Sequence, residues 1–253
     1  TRFNGMGVLK VVANVNKIIG PKIIGIDAAY QGKLDQLLID LDATPDKANL
    51  GANAILSVSQ AVLEASAISY KMPIYAYIQA KYQIADKNSG LPTPIFNLIN
   101  GGKHGAGNLD FQEFHIVPTT RKNYHQALEC GGEIYQALKK ALIYRGAIHS
   151  VGDEGGFAPN LFTNMDALEI LMEAIGATEY QFGRDVFLGL DAAANFFFKN
   201  GKYTIKDRAQ PFNRKEMIKY YVDLNNQYRL FSLEDALYED DWDGWAELTQ
   251  TIR

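Results

Sequence analysis

The sequence predicts an α/β protein in which a helical N-terminal segment precedes a parallel β/α barrel. The first observation is that apolar residues recur at helical spacing in three stretches within residues 8–70. The second is that two apolar runs, 185–191 and 230–235, are typical of buried strands, end in carboxylates and precede helical patterns. In such barrels the chemistry lies at the C-terminal ends of the strands, so acidic strand ends are the first candidates for a site.

Three helices are predicted in the N-terminal segment. The first spans 8–19 and is expected to stop at Gly20-Pro21, because proline breaks a helix interior. The second carries its apolar stripe over 34–41. The third spans 52–70 and has Ala and Ser on every face, which predicts a helix buried among other elements.

The C-terminal segment is predicted to begin with two antiparallel strands. Residues 94–100 and 111–117 are short apolar runs joined by a loop, whereas a parallel pair would need a crossover helix. The dipeptide Asn200-Gly201 between two aromatic runs predicts a hairpin. Helices are predicted over 123–144, 164–175 and 217–228, and from residue 242 onward.

A polar stretch at 86–90 is the most linker-like part of the chain and separates these two segments. We therefore predict two domains, a helical one at 1–85 and a barrel-forming one at 91–253. The chain opens with Thr1 rather than Met and ends inside a helical pattern. Both ends are therefore expected to be cuts in a longer sequence.

Composition and charge argue against two classes of function. Lys and Arg total 25 against 29 Asp and Glu, and no basic run could follow a phosphate backbone, so a nucleic-acid partner is not expected. No apolar run approaches the ~20 residues that cross a bilayer, so no membrane span is expected. The single Cys130 allows no intramolecular disulfide and fits a reducing compartment. These observations do not exclude a small-molecule substrate.

The stretch 150–160 is unusual because two adjacent carboxylates, Asp153 and Glu154, lie between glycines. It is too rich in glycine, and too close to Pro159, to form a helix or a regular strand. Glycine lets backbone approach a ligand closely, and neighbouring like charges favour a bound cation or a raised pKa. The stretch therefore predicts a loop whose carboxylates take part in the chemistry of a site. The alternative is a turn whose aspartate caps the next helix.

Four carboxylates share this kind of placement: Glu113 in a strand, Glu154 in the glycine-rich loop, and Asp191 and Glu234 at strand ends. Hard oxygen ligands at one barrel mouth suit Mg²⁺, which prefers carboxylates together with water and substrate oxygens. Taken singly, Asp191 or Glu234 could equally cap a following helix. Taken together, the four acids favour a magnesium site.

Several stretches, in this order along the chain, resemble the signatures of the enolase (phosphopyruvate hydratase) family. They are 51–56 (GANAIL), 97–104 (NLINGGKH), 112–114 (QEF), 151–160 (VGDEGGFAPN), 190–193 (LDAA), 232–235 (SLED) and 240–245 (DDWDGW). The VGDEGGFAPN loop and the QEF strand belong to the enolase pattern rather than to its wider superfamily. The resemblance extends over nearly the whole chain.

The resemblance implies an incomplete enolase-type β/α barrel preceded by the helical part of an α+β N-terminal domain. It also implies a protein that is a cytoplasmic homodimer when full length and that uses Mg²⁺ to interconvert 2-phosphoglycerate and phosphoenolpyruvate in glycolysis. Matched residue by residue, Asp191 and Glu234 take metal-ligand positions. Glu154 takes the position of the general acid on the departing hydroxyl, with Glu113 paired to it as the second catalytic carboxylate. The positions that line the substrate are His104, Gln112, Glu113 and Glu154.

Other functional positions of the family have no counterpart within the 253 residues. They are a serine-containing substrate loop, a third metal aspartate, the lysine base, and the arginine and lysine that bind phosphate and carboxylate. The barrel is therefore expected to be open, with unpaired strand edges, and the 253 residues alone are expected to be inactive. His115, His125 and His149 match no site position, so a surface or core histidine is expected at each.

Three hypotheses follow from the resemblance. The first is a partial enolase sequence that holds half of an active site. The second is a naturally truncated, non-catalytic enolase-like protein that acts through binding. The third is a member of the wider superfamily that acts on another carboxylate substrate. The intact Glu113, Glu154, Asp191 and Glu234 favour the first over the second, because clustered acids cost stability without a cation.

Overall fold

The computed structural model describes residues 2–84, 90–103, 105, 107, 109–152 and 154–252. The chain divides into two units, Thr1–Ser89 and Gly90–Arg253. The first unit is helical over its described part, and the second combines helices with a sheet. In the described ranges, no helix is both long enough and apolar enough to cross a membrane.

The first unit is built from a 3₁₀ segment (Arg2–Gly5), five α-helices and one π-helical turn in its described residues. The α-helices and the π turn are α1 (Leu9–Asn14), the π turn (Val15–Ile19), α2 (Gly20–Ile23), α3 (Gln31–Asp42), α4 (Ala52–Ser69) and α5 (Ile74–Lys81). Ile19, Leu34 and Leu38 are fully or almost fully buried and form the centre of a small core with Ala54 and Val58. The core joins the π turn, α3 and α4.

The prediction that the first helix stops at Gly20-Pro21 is wrong. The helical path continues through the π turn into α2 and ends at Ile23, where Ile24 turns to an extended conformation with ψ 129°. Pro21 falls in the first turn of α2. The fixed φ of proline is already helical, so its ring is compatible with this position.

The prediction that α4 is buried among other elements is also wrong. Only Ala54, Val58, Ser66 and Ala67 are buried, while Leu56 is 57% and Ile68 68% exposed. Small side chains permit close approach from all directions, but the described neighbours of α4 cover only one stripe of it.

The described residues of the second unit form a four-stranded sheet and a two-stranded hairpin. The strands are β1 (Phe96–Asn100), β2 (Glu113–Pro118), β3 (Val186–Asp191), β4 (Phe198–Lys199), β5 (Lys202–Tyr203) and β6 (Leu230–Glu234). The helices are α6 (Tyr124–Tyr144), α7 (Asn164–Gly176), α8 (Arg214–Tyr228) and α9 (Trp242–Thr251). The sheet has the order β1-β2-β3-β6, and β4 pairs with β5 in the hairpin predicted at Asn200-Gly201.

The sheet is open in the described part of the chain, with β1 and β6 at its ends. This arrangement, together with the flanking helices, confirms the predicted incomplete α/β barrel. The predicted antiparallel pairing of β1 with β2 is confirmed. The expectation of a parallel sheet beyond that pair holds for β3 and β6 but not for β2 and β3, which are antiparallel. Two helices, α6 and α7, connect β2 to β3 and leave the chain at the far end of the sheet, whereas a single crossover helix would return it for a parallel strand.

The two faces of the sheet differ in chemistry. Phe114, Ile116, Leu188 and Leu190 are fully buried on one face, in the same core as the inner sides of α6, α7 and α8. Side chains alternate between faces along a strand, so the intervening residues of β2 and β3 lie on the opposite face. That opposite face carries Glu113, His115 and Asp191, and it is where the site is found.

Candidate active site

Four polar residues lie side by side across the sheet. Asn100 of β1 is the register partner of Glu113 in β2, Glu113 is the partner of Asp191 in β3, and Asp191 is the partner of Glu234 in β6. Directly paired residues of neighbouring strands present their side chains on the same face. The sheet therefore brings the predicted Glu113, Asp191 and Glu234 into one row, which we call the carboxylate row, with Asn100 at its end.

The antiparallel direction of β2 explains how Glu113 joins this row. Glu113 is the first residue of its strand, whereas Asn100, Asp191 and Glu234 are the last residues of theirs. A strand that runs backwards presents its start at the edge where its neighbours end. The carboxylate row thus lies at the end of the sheet where β1, β3 and β6 finish, as predicted for a barrel site.

Asp191 is the most perturbed acid of the row. It is only 7% exposed, and its burial, together with the negative charges of Glu234 and Glu113, raises its pKa to about 6. The backbone N–H of Ala193 donates to Asp191 Oδ1 at 2.9 Å and opposes this rise. A buried carboxylate that faces other carboxylates is stabilised by a cation.

Gln112 is held beside Asp191 by two contacts. Its backbone N–H donates to the Asp191 carbonyl oxygen at 3.0 Å, and its Nε2 lies 3.4 Å from Asp191 Oδ2. These contacts put the predicted substrate-lining Gln112 next to the predicted metal ligand Asp191. Glu234, at the other side of Asp191, is exposed.

The glycine-rich loop at 150–160, which we call the acidic loop, is hydrogen-bonded through its backbone to the edge of β1. Phe157 N donates to Leu98 O, and Asn100 N donates to Phe157 O, both at 2.8 Å. The loop turns back on itself where Gly152 N donates to Gly156 O at 2.8 Å. This attachment places Glu154 over β1, where its Oε2 accepts from Asn97 Nδ2 at 3.1 Å and lies 3.4 Å from Asn100 Nδ2.

The contact between loop and strand requires glycine at position 156. A Cβ there would lie 2.0 Å from Asn100 Oδ1 and 3.1 Å from Asn97 Oδ1. Gly155, with φ +91°, adopts a conformation that residues with a side chain rarely take. The two glycines therefore allow Glu154 to come within hydrogen-bonding distance of two asparagines.

A second row runs behind the carboxylate row on the same face. Asn97, His115, Gly189 and Ser232 are successive register partners, from β1 to β6. His115 Nε2 lies 2.7 Å from Glu113 Oε2. Gly189 leaves room between its neighbours, because a Cβ there would lie 2.4 Å from Ser232 Oγ and 3.3 Å from His115 Cβ.

His115 is 6% exposed, and burial lowers the pKa of its imidazole although Asp191, Glu234 and Glu154 all pull the pKa upward. It is therefore a neutral buried histidine on the polar face, next to the carboxylate row. Sequence reasoning did not assign it a site role. The signal that could have found it is its spacing of two from Glu113, which places both side chains on one face of a strand.

Asn97 and Asn100 were also missed as site residues. Both lie in the strand that precedes the Gly101-Gly102 turn, and carboxamides near a strand end can donate to a nearby acid. Their Oδ1 atoms are buried and have no hydrogen-bond partner within the described ranges. The predicted His104 and the Asp153 of the acidic loop lie outside the described residues.

Two carboxylates on adjacent strands, one with a raised pKa, suit a hard cation such as Mg²⁺. Within the ranges that the structure describes, no group of three or more His, Cys, Asp or Glu side chains could hold a metal ion. Asp191 and Glu234 are thus two ligand candidates and not a complete ligand set.

Comparison with protein families gives two matches. Residues 1–78 match the model described as enolase, N-terminal domain. Residues 88–253 match the model described as enolase, C-terminal TIM barrel domain. The two matches together span most of the chain, and the second contains all of the candidate site. The chain belongs to the enolase family.

Proposed function

We propose that the full-length protein is a Mg²⁺-dependent phosphopyruvate hydratase, a lyase that interconverts 2-phosphoglycerate and phosphoenolpyruvate in glycolysis. The observation that carries the proposal is the carboxylate row, with Glu154 above its β1 end, in a chain of the enolase family. The proposal includes a cytoplasmic homodimer as the working form.

Asp191 and Glu234 would hold Mg²⁺ in this proposal, and Gln112 and His104 would line the substrate. When bound, the ion would stabilise the negative charge that develops on the substrate carboxylate as its neighbouring proton is removed. The contact of Gln112 Nε2 with Asp191 Oδ2 supports this assignment, because it links a substrate-lining side chain to a ligand.

Glu154 would donate a proton to the hydroxyl that leaves the substrate, with Glu113 as its paired carboxylate. Asn97 and Asn100 hold the Glu154 carboxylate from the β1 side. General acids of this kind contribute about 10²–10⁴-fold to a rate. The family's lysine base and third metal aspartate have no match within the 253 residues, so the proposal includes that this chain alone is inactive.

The test is to measure phosphoenolpyruvate formation from 2-phosphoglycerate by the full-length protein, with and without Mg²⁺. We expect Mg²⁺-dependent activity, and we expect Glu154→Gln to lower kcat by about 10²–10⁴-fold. Glu179→Gln, at an exposed glutamate that follows α7, is the matched control and should keep wild-type activity. An inactive wild type, or full activity of Glu154→Gln, would refute the proposal.

The non-catalytic binding protein is distinguished by the size of the endogenous polypeptide. An intact mass well above 28.1 kDa supports the enzyme, because the remaining functional positions then have room in the rest of the chain. A mass of 28.1 kDa, with no activity, favours the binding protein.

A further inference from the structure

The buried His115 has no role in the reaction as described so far. Its ring lies on the polar face of β2, two residues from Glu113, and not in the apolar core of the unit. Its Nε2 is 2.7 Å from Glu113 Oε2, a short hydrogen bond between an imidazole and a carboxylate. A histidine that only filled space would not need its ring nitrogen directed at a site carboxylate.

The direction of this hydrogen bond follows from the chemistry of the two groups. With Glu113 ionised, its carboxylate can only accept, and Nε2 then carries the proton. The imidazole is neutral because its burial lowers the pKa, against the charges of Asp191 on β3, Glu234 on β6 and Glu154 in the loop. A neutral imidazole donor orients Glu113 without cancelling its negative charge.

The surroundings of the ring fix its place in the row. Its register partners are Asn97 on β1 and Gly189 on β3. A Cβ at position 189 would lie 3.3 Å from His115 Cβ and 3.6 Å from Nδ1. The glycine therefore leaves the space that the imidazole needs beside β3.

We propose that His115 is a positioning residue for Glu113. His115 donates its Nε2–H to Glu113 Oε2 and so fixes the orientation of that carboxylate toward the site. This inference rests on the proposed function, because it supports the carboxylate that is paired with Glu154. A hydrogen bond to a charged group is worth more than a neutral one, so its loss should weaken the hold on the carboxylate measurably.

The kinetic test compares three variants of the full-length protein at saturating Mg²⁺. His115→Met removes the donor and keeps similar volume, His115→Gln keeps an amide N–H near the position of Nε2, and His125→Met changes an exposed histidine of α6 as the matched control. We expect His115→Met to lower kcat by roughly 10-fold with little change in KM. His115→Gln should recover most of that loss, and His125→Met should match the wild type.

Two kinetic outcomes would overturn the inference. Full activity of His115→Met would show that Glu113 is positioned without the His115 hydrogen bond, and equal losses in His115→Met and His115→Gln would show that only the packing of the ring matters. If His115→Met unfolds, His115→Asn replaces it, because the shorter side chain cannot reach Glu113.

A second readout does not depend on activity. Long-range ¹H–¹⁵N correlation of histidine-labelled wild-type protein reports which ring nitrogen of His115 carries the proton. We expect the Nε2–H tautomer at neutral pH, with an Nε2 signal that changes in Glu113→Ala. An Nδ1–H tautomer or an imidazolium would refute the inference. An inactive wild type with the expected tautomer would refute the proposed function and leave the His115–Glu113 contact established.

Discussion

Two buried aspartates, one in each unit, have pKa values shifted in opposite directions. Asp42 closes α3 and is fully buried, and its pKa is lowered although burial alone would raise it. Leu50 N donates to Asp42 Oδ2 at 2.7 Å, and the backbone N–H of Thr44 donates to Oδ1 at 3.1 Å. Asp191 is similarly buried, but burial and neighbouring carboxylates raise its pKa to about 6.

The difference separates a structural acid from a site acid. Asp42 is surrounded by donors of its own loop, and its charge stabilises the fold. Asp191 accepts from Ala193 N but faces Glu113 and Glu234, so its charge lacks a counter-ion within the carboxylate row. A buried carboxylate among carboxylates is therefore a better indicator of a cation site than a buried carboxylate as such.

Removal of Asp42 should give the largest loss of stability. Asp42→Ala leaves the buried N–H of Leu50 and that of Thr44 without their acceptor, so the Tm of the chain should fall by about 5 °C or more. Calorimetry measures this change. Asp46→Ala, at an exposed aspartate of the same loop that accepts from Ala48 N at 3.2 Å, is the control and should change Tm far less. Equal shifts for both variants would contradict the comparison.

Replacement of Asp191 should change stability less than loss of Asp42, and in the opposite direction at neutral pH. Because its folded-state pKa is raised from 3.8 to about 6, the folded chain takes up this proton first as pH falls, and the contribution of Asp191 to stability is lost as pH rises from 4 to 6. Asp191→Asn should therefore be more stable than the wild type at pH 7 by on the order of 2 kcal/mol, and this gap should close near pH 4.

Urea unfolding of both proteins between pH 4 and pH 7, without divalent cations, measures this gap. Asp223→Asn on the exposed side of α8 is the control, and its difference from the wild type should stay small and independent of pH. A wild type that is more stable than Asp191→Asn at pH 7 would show that Asp191 is satisfied, as Asp42 is.

Addition of Mg²⁺ should have the smallest effect. The ion should raise the stability of the wild-type chain by roughly 1 kcal/mol at concentrations several times its Kd, because the gain in stability is set by the ratio of free Mg²⁺ to Kd. The same addition should not stabilise Asp191→Asn. Thermal unfolding with Mg²⁺ or an equal ionic strength of Na⁺ separates binding from screening, and equal shifts in the two salts would argue against a site.

The candidate acids could be predicted from the sequence because each follows a local rule. Asp191 and Glu234 end apolar strands, and Glu154 lies between glycines in a loop that cannot be regular. The predicted open α/β architecture was confirmed for the same reason, since hydrophobic period and turn residues are local signals. The antiparallel pairing of β1 with β2 was also predicted, from their short connection, but the antiparallel direction of β2 relative to β3 was not, because it depends on two helices packing as a pair between β2 and β3.

The residues that support the acids could not be found by local rules either. The role of Asn97 depends on its contact with Glu154, which lies 57 positions later in the chain. The role of His115 depends on which strands lie beside β2 in the sheet. The helix through Pro21 was missed because a π turn changes the phase of the helix just before the proline. Such features arise from tertiary pairing and backbone adjustment, and residue type alone does not encode them.

The carboxylate row also protects the sheet against misfolding. Side chains alternate along a strand, so a slip of β3 by one residue would turn Asp191 toward the helices and place it where Leu190 now packs. A lone charge in that apolar layer would be far more costly than its present position among other acids. The acids that chemistry requires thus penalise every pairing that is one residue out of step, and the native alignment is selected before any substrate arrives.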